Sequence, residues 1–193
     1  WKDKHPDFEY ILWNEDEILK RGFQFKCQSK IDEIEEINGK ADIMRWEILH
    51  KFGGVFLDAD SICIEPIDQE LLNRTCFAGW EQEQVRNGLI ATGTMGFPEK
   101  HPLVEGAITY ILNNEVSQIK SNMMAWQVVG PGLLTGLYNT GKFNDLYICP
   151  SFTFLPIHLT GIEYKGHGKI YAFQAWGSTN QSYDTMNDII LPE

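Results

Sequence analysis

The hydrophobic and polar positions fall into short blocks whose period switches repeatedly between strand-like and helix-like, with no polar linker between them. The apolar run Tyr10-Ile11-Leu12-Trp13 predicts a strand. A polar stretch then predicts a short helix over 15–21, with Asn14 as N-cap and Gly22 as stop. Residues 23–27 predict another strand, and Ile31, Ile34 and Ile37 recur at helical spacing, predicting one helix over 29–37 with a core face. An amphipathic helix follows, carries Asp42 and Arg45 one turn apart, and stops at Gly53-Gly54. The run Val55-Phe56-Leu57 is apolar at every position and predicts a strand buried on both faces. Beyond it, Ser61–Ile64 extends as far as Pro66, and residues 67–74 make a turn of helix. Residues 89–97 alternate small and apolar residues around Gly93 and Gly96, which predicts a strand passing close to something bulky. A helix over 101–115 opens at Pro102, and Gly130-Pro131-Gly132 reads as a turn leading into a helix. Alternating β and α elements without repeats imply an α/β sandwich, read as one domain over 1–193.

Composition narrows the classes. Among 193 residues, 43% are hydrophobic, with six Trp, seven Tyr and eleven Phe, so the chain has enough apolar surface to form a core. The formal charge of −11 excludes nucleic acid as a natural partner. Cys27, Cys63, Cys76 and Cys149 are widely spaced, without a Cys-x-x-Cys pair or zinc spacing, and Cys63 reads as a packed thiol. Sequons at Asn73 and Asn180 are close to the number expected by chance. No apolar run reaches the ~20 residues of a membrane span. These features favour a cytoplasmic location; because residue 1 is Trp, a Golgi lumen location stays open if an N-terminal anchor has been removed.

The chemistry concentrates where the apolar strand ends. Asp58 and Asp60 sit at its carboxyl end, the position where open α/β sheets place ligands. In extended chain the two carboxylates point to opposite sides, so an ion would be held directly by one and oriented by the other. Their hard oxygens suit Mn²⁺ or Mg²⁺, and those ions suit phosphates. Asp-x-Asp alone is a weak signal, since roughly one is expected by chance in a chain this rich in Asp. The conjunction of helix, double glycine, apolar strand and carboxylate pair is what raises it.

The same segment, GKADIMRWEILHKFGGVFLDADSICIEP over residues 39–66, resembles the DXD sugar transferases of glycosyltransferase family 32, which include fungal initiating α-1,6-mannosyltransferases and bacterial capsular enzymes. It is similar, more distantly, to the glucosylating domain of the large clostridial toxins. Asp42, Arg45, Leu49, Gly53, Gly54, Asp58 and Asp60 meet the family pattern, with Phe56 in place of the usual Tyr and Trp46 as the aromatic after Arg. Residues 1–14, Phe77–Glu81 and Val129–Thr135 resemble further blocks. The family's first strand precedes the point where this sequence starts. Its closing His-x-x-x-x-Ser-Trp block is met only by Gln174, Trp176 and Ser178, with Thr179 where Trp is expected.

The resemblance implies the GT-A fold, a mostly parallel mixed sheet flanked by helices. It implies a metal-dependent, retaining transfer of a hexose from a UDP- or GDP-sugar to a hydroxyl of a glycan or polysaccharide. Asp58 and Asp60 are then the metal ligands, and Asp42, Arg45, Asp58 and Ser178 bind the donor. Asp42, Arg45, Asp58 and Asp60 together form the catalytic set. Glu81 and His158 are acceptor-side candidates, although each is also readily explained as an ordinary surface acid or a hydrogen-bonded histidine. Two other readings remain: a non-catalytic nucleotide-sugar-binding relative, and a haloacid-dehalogenase-type phosphatase built on VFLDADSIC. The phosphatase needs a later acidic pair, and Asp184 and Asp188 lack the glycine and strand that would place one.

Overall fold

A computed structural model describes residues 1–116, 123–164 and 166–189. Its order is α1 (Glu15–Lys20), α2 (Gln28–Glu33), α3 (Ile37–Phe52), β1 (Gly54–Leu57), β2 (Ser61–Cys63), α4 (Gln69–Leu72), β3 (Cys76–Gln82), β4 (Arg86–Phe97), α5 (Pro102–Asn113), α6 (Ala125–Val128), α7 (Pro131–Asn139), β5 (Leu146–Cys149), β6 (Ala172–Gln174) and α8 (Gly177–Asn180). Four strands form a sheet in the order β1-β4-β3-β5, and β2 pairs with β6 in a second, two-stranded antiparallel sheet.

This is the expected α/β class with a mixed sheet flanked by helices, but the balance within the sheet is different. β4 runs antiparallel to both β1 and β3, and only β3 with β5 is parallel. For β3 and β4 the reason is their short connection: three residues suit a hairpin, whereas a parallel crossover needs a dozen or more.

Period-two alternation along β3 divides the molecule into two apolar layers. Cys76, Ala78 and Trp80 face the larger core with Trp46, Leu49, Met95, Leu103 and Leu134, under the helices. Phe77 faces a smaller core with Ile67, Leu71, Phe154 and Tyr171. Helix α3 lies deepest. From Asp42 to Leu49 it is buried at every residue except Met44, so it is less an amphipathic surface helix than a central one. Its stop is enforced sterically: Gly53 has φ +61°, and a Cβ there would lie 2.8 Å from the Glu99 nitrogen. Glu47, buried in α3, accepts hydrogen bonds from the backbone N–H groups of Lys26 (2.7 Å) and Cys27 (2.8 Å), where α2 begins.

Several local expectations shift. Residues 10–13 and 23–27 join no ladder among the described residues. In 10–13 the strand alternation survives, with Tyr10 and Leu12 exposed and Ile11 and Trp13 half-buried, but the backbone finds no partner strand. The helix expected over 29–37 ends at Glu33, because Ile34 is extended; Ile31 and Ile34 are buried while Ile37 opens α3 at 81% exposure. β1 is a sheet edge and only half-buried, so its apolar run does not mark a central strand. Beside it lies a hollow of about 450 Å³ lined by Trp1, Phe8, Trp13, Phe52 and Phe56.

The glycines of β4 meet the bulk that their spacing predicts. A Cβ at Gly96 would sit 2.4 Å from the Phe77 ring, and one at Gly93 would sit 2.8 Å from Asp58 Oδ2. Among the described residues no helix is long and apolar enough to cross a membrane. All four cysteines are free and buried.

Candidate active site

Three of the four expected catalytic residues meet around one guanidinium. Helix α3 holds Asp42 and Arg45 one turn apart, and the chain leaving β1 brings Asp58 to them. Arg45 Nη2 lies 3.1 Å from Asp42 Oδ1 and 2.9 Å from Asp58 Oδ1. Arg45 Nη1 donates to the Thr92 carbonyl on β4, and the guanidinium carbon stands 4.8 Å over the Phe56 ring. Thr92 Oγ1 donates to Asp42 Oδ1 at 3.4 Å. Arg45 and Asp42 are each only 5% exposed, whereas the Asp58 side chain keeps 30% of its surface open. Arg45 Nε is buried with no hydrogen-bond partner among the described residues.

Asp60 is separately held. Between the two carboxylates the chain turns, with Ser61 N–H donating to the Asp58 carbonyl at 3.0 Å, so they are not neighbours on one extended strand. Asp60 Oδ1 accepts from Gln174 Nε2, and Oδ2 accepts from Gly177 N–H at 2.8 Å. The Asp60 carbonyl also accepts from Ala175 N–H at 2.9 Å. Residues 174–177 thus clasp Asp60 from the far end of the chain. The clasp includes Trp176 in the left-handed region at φ 54°, a conformation that costs a non-glycine residue about 1 kcal/mol or more and that surrounding contacts must impose.

Burial sets the electrostatics. It pushes the Asp42 carboxyl up to about 6, with Arg45 pulling down and Asp58 pushing up. Burial, and then the Asp58 charge, also raise Asp60, against the N–H of Gly177 and the amide of Gln174. A buried carboxyl raised by a neighbouring carboxylate's charge belongs to a donor set that a divalent cation relieves. Asp58 Oδ2 has no donor among the described residues, and each Asp60 oxygen keeps a lone pair beyond its one hydrogen bond. The residues therefore fit Mn²⁺ or Mg²⁺.

The acceptor-side candidates pair with each other. Glu81 and His158 meet each other, His158 Nε2 lying 3.3 Å from Glu81 Oε1, and the His158 ring meets Trp176 edge-to-face at 5.5 Å. Ser178 falls on α8, and its side chain lies outside the described residues. Sequence reasoning missed Thr92, which acts partly through its carbonyl. It also missed Gly130, where a Cβ would fall 2.2 Å from Asp42 Oδ2.

A Cys–His–Asp cluster was likewise unforeseen: Cys76, His101 and Asp145 offer ligand atoms within 4.8 Å of one another. It is better explained structurally. His101 Nδ1 accepts from Leu103 N–H at 3.3 Å, capping α5, so its proton sits on Nε2 and is given to Asp145 at 3.0 Å.

Residues 1–78, which contain Asp42, Arg45, Asp58 and Asp60, match the family described as glycosyltransferase sugar-binding region containing DXD motif. Over that stretch the chain is similar to DXD glycosyltransferase regions. Among similar proteins, Inositol phosphoceramide mannosyltransferase 3 of Schizosaccharomyces pombe is 31% identical over 105 residues, 53% of this chain and 28% of that protein. Mannosyl phosphorylinositol ceramide synthase SUR1 of Saccharomyces cerevisiae is 29% identical over 143 residues, 72% of this chain and 36% of its own length. Inositol phosphoceramide mannosyltransferase 2 of Schizosaccharomyces pombe is 28% identical over 144 residues, 72% of this chain and 40% of its length. The chain thus spans well under half the length of these relatives. The solved structure PaToxG Glycosyltransferase aligns with a TM-score of 0.48 at 12% identity, covering 73% of this chain and 50% of that one.

Proposed function

We propose that this chain is a DXD glycosyltransferase that moves a hexose from a nucleotide-diphosphate sugar to an acceptor hydroxyl in a metal-dependent reaction. The observation that carries this reading is the buried Asp42–Arg45–Asp58 cluster beside the clasped Asp60, all at the carboxyl end of β1. Asp58 and Asp60 would hold Mn²⁺ or Mg²⁺, which supplies positive charge against the diphosphate as it leaves. Asp42 accepts hydrogen bonds from donor-sugar hydroxyls through Oδ2, which has no donor among the described residues. Arg45 fixes both carboxylates. These charge-assisted hydrogen bonds are strong and directional, as positioning requires.

The relatives are named for mannosyl transfer onto an inositol phosphoceramide. A mannose donor and a polyol or sugar hydroxyl acceptor are the corresponding proposal here, with the base, UDP or GDP, to be read by experiment. Retention at the anomeric carbon is supported by family resemblance, and no side chain of the cluster stands out as an enzymic nucleophile.

Thermal unfolding measured with UDP, GDP and their sugar conjugates, each with and without Mn²⁺, tests the reading. Stabilisation that requires both one nucleotide sugar and the metal is expected; ligand at 100 times its Kd corresponds to about 2.7 kcal/mol. No shift with any pairing overturns it. A shift without transfer identifies the non-catalytic binding relative.

A further inference from the structure

The second polar cluster lies on the face of β3 away from the helices. Alternation sends Trp80 into the larger core and Glu81 to the side of Phe77. There Glu81 is only 9% exposed and His158 only 2%. Surface acids are seldom so deep unless something holds them.

What holds Glu81 is specific. Thr160 N–H lies 3.3 Å from His158 Nδ1, and Thr160 Oγ1 lies 2.9 Å from it. A ring nitrogen that accepts a backbone N–H carries no proton, so the His158 proton resides on Nε2 and is donated to Glu81 Oε1 at 3.3 Å. Arg86 Nε approaches the same Oε1 at 3.7 Å. Both partners engage one oxygen. Oε2 has no partner among the described residues, and it is not among the fully buried unpartnered atoms, which are Arg45 Nε, Ser61 Oγ and Gln82 Nε2. It is an oriented acceptor on a side chain that keeps 12% of its surface accessible.

This pair is tied to the donor site through one residue. Trp176 packs edge-to-face on His158, its Nε1 donates to the Ile157 carbonyl at 3.2 Å, and the next N–H, that of Gly177, goes to Asp60. The strained backbone at Trp176 thus joins the wall behind Glu81 to the clasp on Asp60.

Resting on the donor reading above, we propose that Glu81 Oε2 accepts the hydrogen bond of the attacking acceptor hydroxyl, with His158 as the positioning residue behind it. In the transfer, the acceptor oxygen bonds to the sugar's anomeric carbon, and the bond from that carbon to the diphosphate oxygen breaks with its electron pair. The hydroxyl proton leaves with the diphosphate. Glu81 stays a carboxylate and sets the direction of attack.

Glu81→Gln is the sharp test, because it keeps the shape. His158 Nε2–H retains the amide oxygen, so the amide NH₂ takes the place of Oε2 and an acceptor becomes a donor. The assay uses inositol phosphoceramide in detergent micelles as acceptor, with the nucleotide sugar that stabilises the parent chain as donor. Glu81→Gln should leave the metal-dependent donor stabilisation unchanged and lower kcat/KM for transfer by about 100-fold, the scale of one lost oriented hydrogen bond. His158→Ala should do the same, and His158→Gln, whose amide N–H reaches Oε1, should restore transfer to within about 10-fold of the parent. Transfer by Glu81→Gln within about threefold of the parent overturns the proposal, as does loss of donor stabilisation in parallel with transfer. A parent chain that shows no donor stabilisation overturns the donor reading itself, and this proposal with it.

Discussion

Gly130 vacates the space that the Asp42 carboxylate fills: a Cβ at 130 would stand 2.2 Å from Asp42 Oδ2 and 2.9 Å from Oδ1. The turn before α7 is therefore part of the wall around the Asp42 carboxylate. Gly130→Ala forces either the carboxylate or the turn to move. Overpacking of this kind costs about 1–3 kcal/mol, and here it also misdirects Asp42. The expected outcome is a lower Tm together with loss of nucleotide-sugar stabilisation in Mn²⁺. Normal donor binding in this variant would show that Asp42 does not face the donor.

Arg45 is irreplaceable by lysine if its role is to bridge. One guanidinium reaches Asp42, Asp58 and the Thr92 carbonyl at once, with its carbon 4.8 Å over the Phe56 ring. A lysine ammonium has no such fork. Removing one partner from a buried ion pair costs about 3–5 kcal/mol, since a charge is left uncompensated. Arg45→Lys should lower Tm and transfer sharply, while the double variant Arg45→Met with Asp42→Leu should recover stability without recovering transfer. Equal Tm values for Arg45→Lys and the parent would contradict the bridge.

The raised Asp42 sets a pH dependence whose sign is fixed. Its ordinary value is 3.8 and burial moves it to about 6 in the folded chain. Between those values the folded state holds a proton that the unfolded state has released. This group's contribution to stability is therefore greatest below the unfolded value and is lost as pH rises through about 6. Asp60 is shifted in the same direction and adds to the slope. Metal-free protein should lose Tm between roughly pH 4 and 6 from this source, and Asp42→Asn should flatten the loss. An unchanged slope in Asp42→Asn would show that the carboxyl is not strained by burial.

How far the sequence discloses the site depends on range. Asp42 and Arg45 are readable because helical spacing puts them on one face, and Asp58 because a two-glycine stop returns the chain directly beside that helix. Gly93 and Gly96 are readable as close approaches because an extended strand has no other use for them. The clasp on Asp60 is hidden, since it spans 117 residues and uses the N–H of Gly177, which no side-chain identity reveals. The Thr92 carbonyl is hidden for the same reason. Residues 10–13 and 23–27 mislead because apolar character is local, whereas a strand exists only if a partner lies alongside. That β1 also pairs with β4 is a tertiary choice that periodicity does not encode.

The cysteines should be chemically silent. All four are buried, and burial pushes the thiols of Cys27, Cys76 and Cys149 up to about 12. Because the thiolate is the nucleophile, neither exposure nor charge favours reaction. Native protein treated with iodoacetamide at pH 8 should gain no adducts by mass spectrometry, and unfolded protein should gain all four. Rapid labelling of Cys76 in the native state would contradict its packing against His101, which lies 3.6 Å away.

Gln174 offers a way to ask whether Asp60 faces the ion. Its Nε2 donates to Asp60 Oδ1, and its Oε1 lies 3.8 Å from the point above Gly93 that Asp58 Oδ2 also faces, at 2.8 Å. Gln174→Glu exchanges a donor for a third carboxylate in a cluster that already disfavours charge. Without metal the variant should melt lower than the parent, because like charges now oppose one another at buried positions. With Mn²⁺ the repulsion becomes attraction to a common cation, so the metal-induced rise in Tm should exceed that of the parent. Gln174→Ala serves as the control: it removes the amide donor without adding charge, and should lower Tm in both conditions alike. If Mn²⁺ raises Gln174→Glu no more than it raises the parent, the ion is not held beside Asp60, and Asp58 alone would remain as its carboxylate.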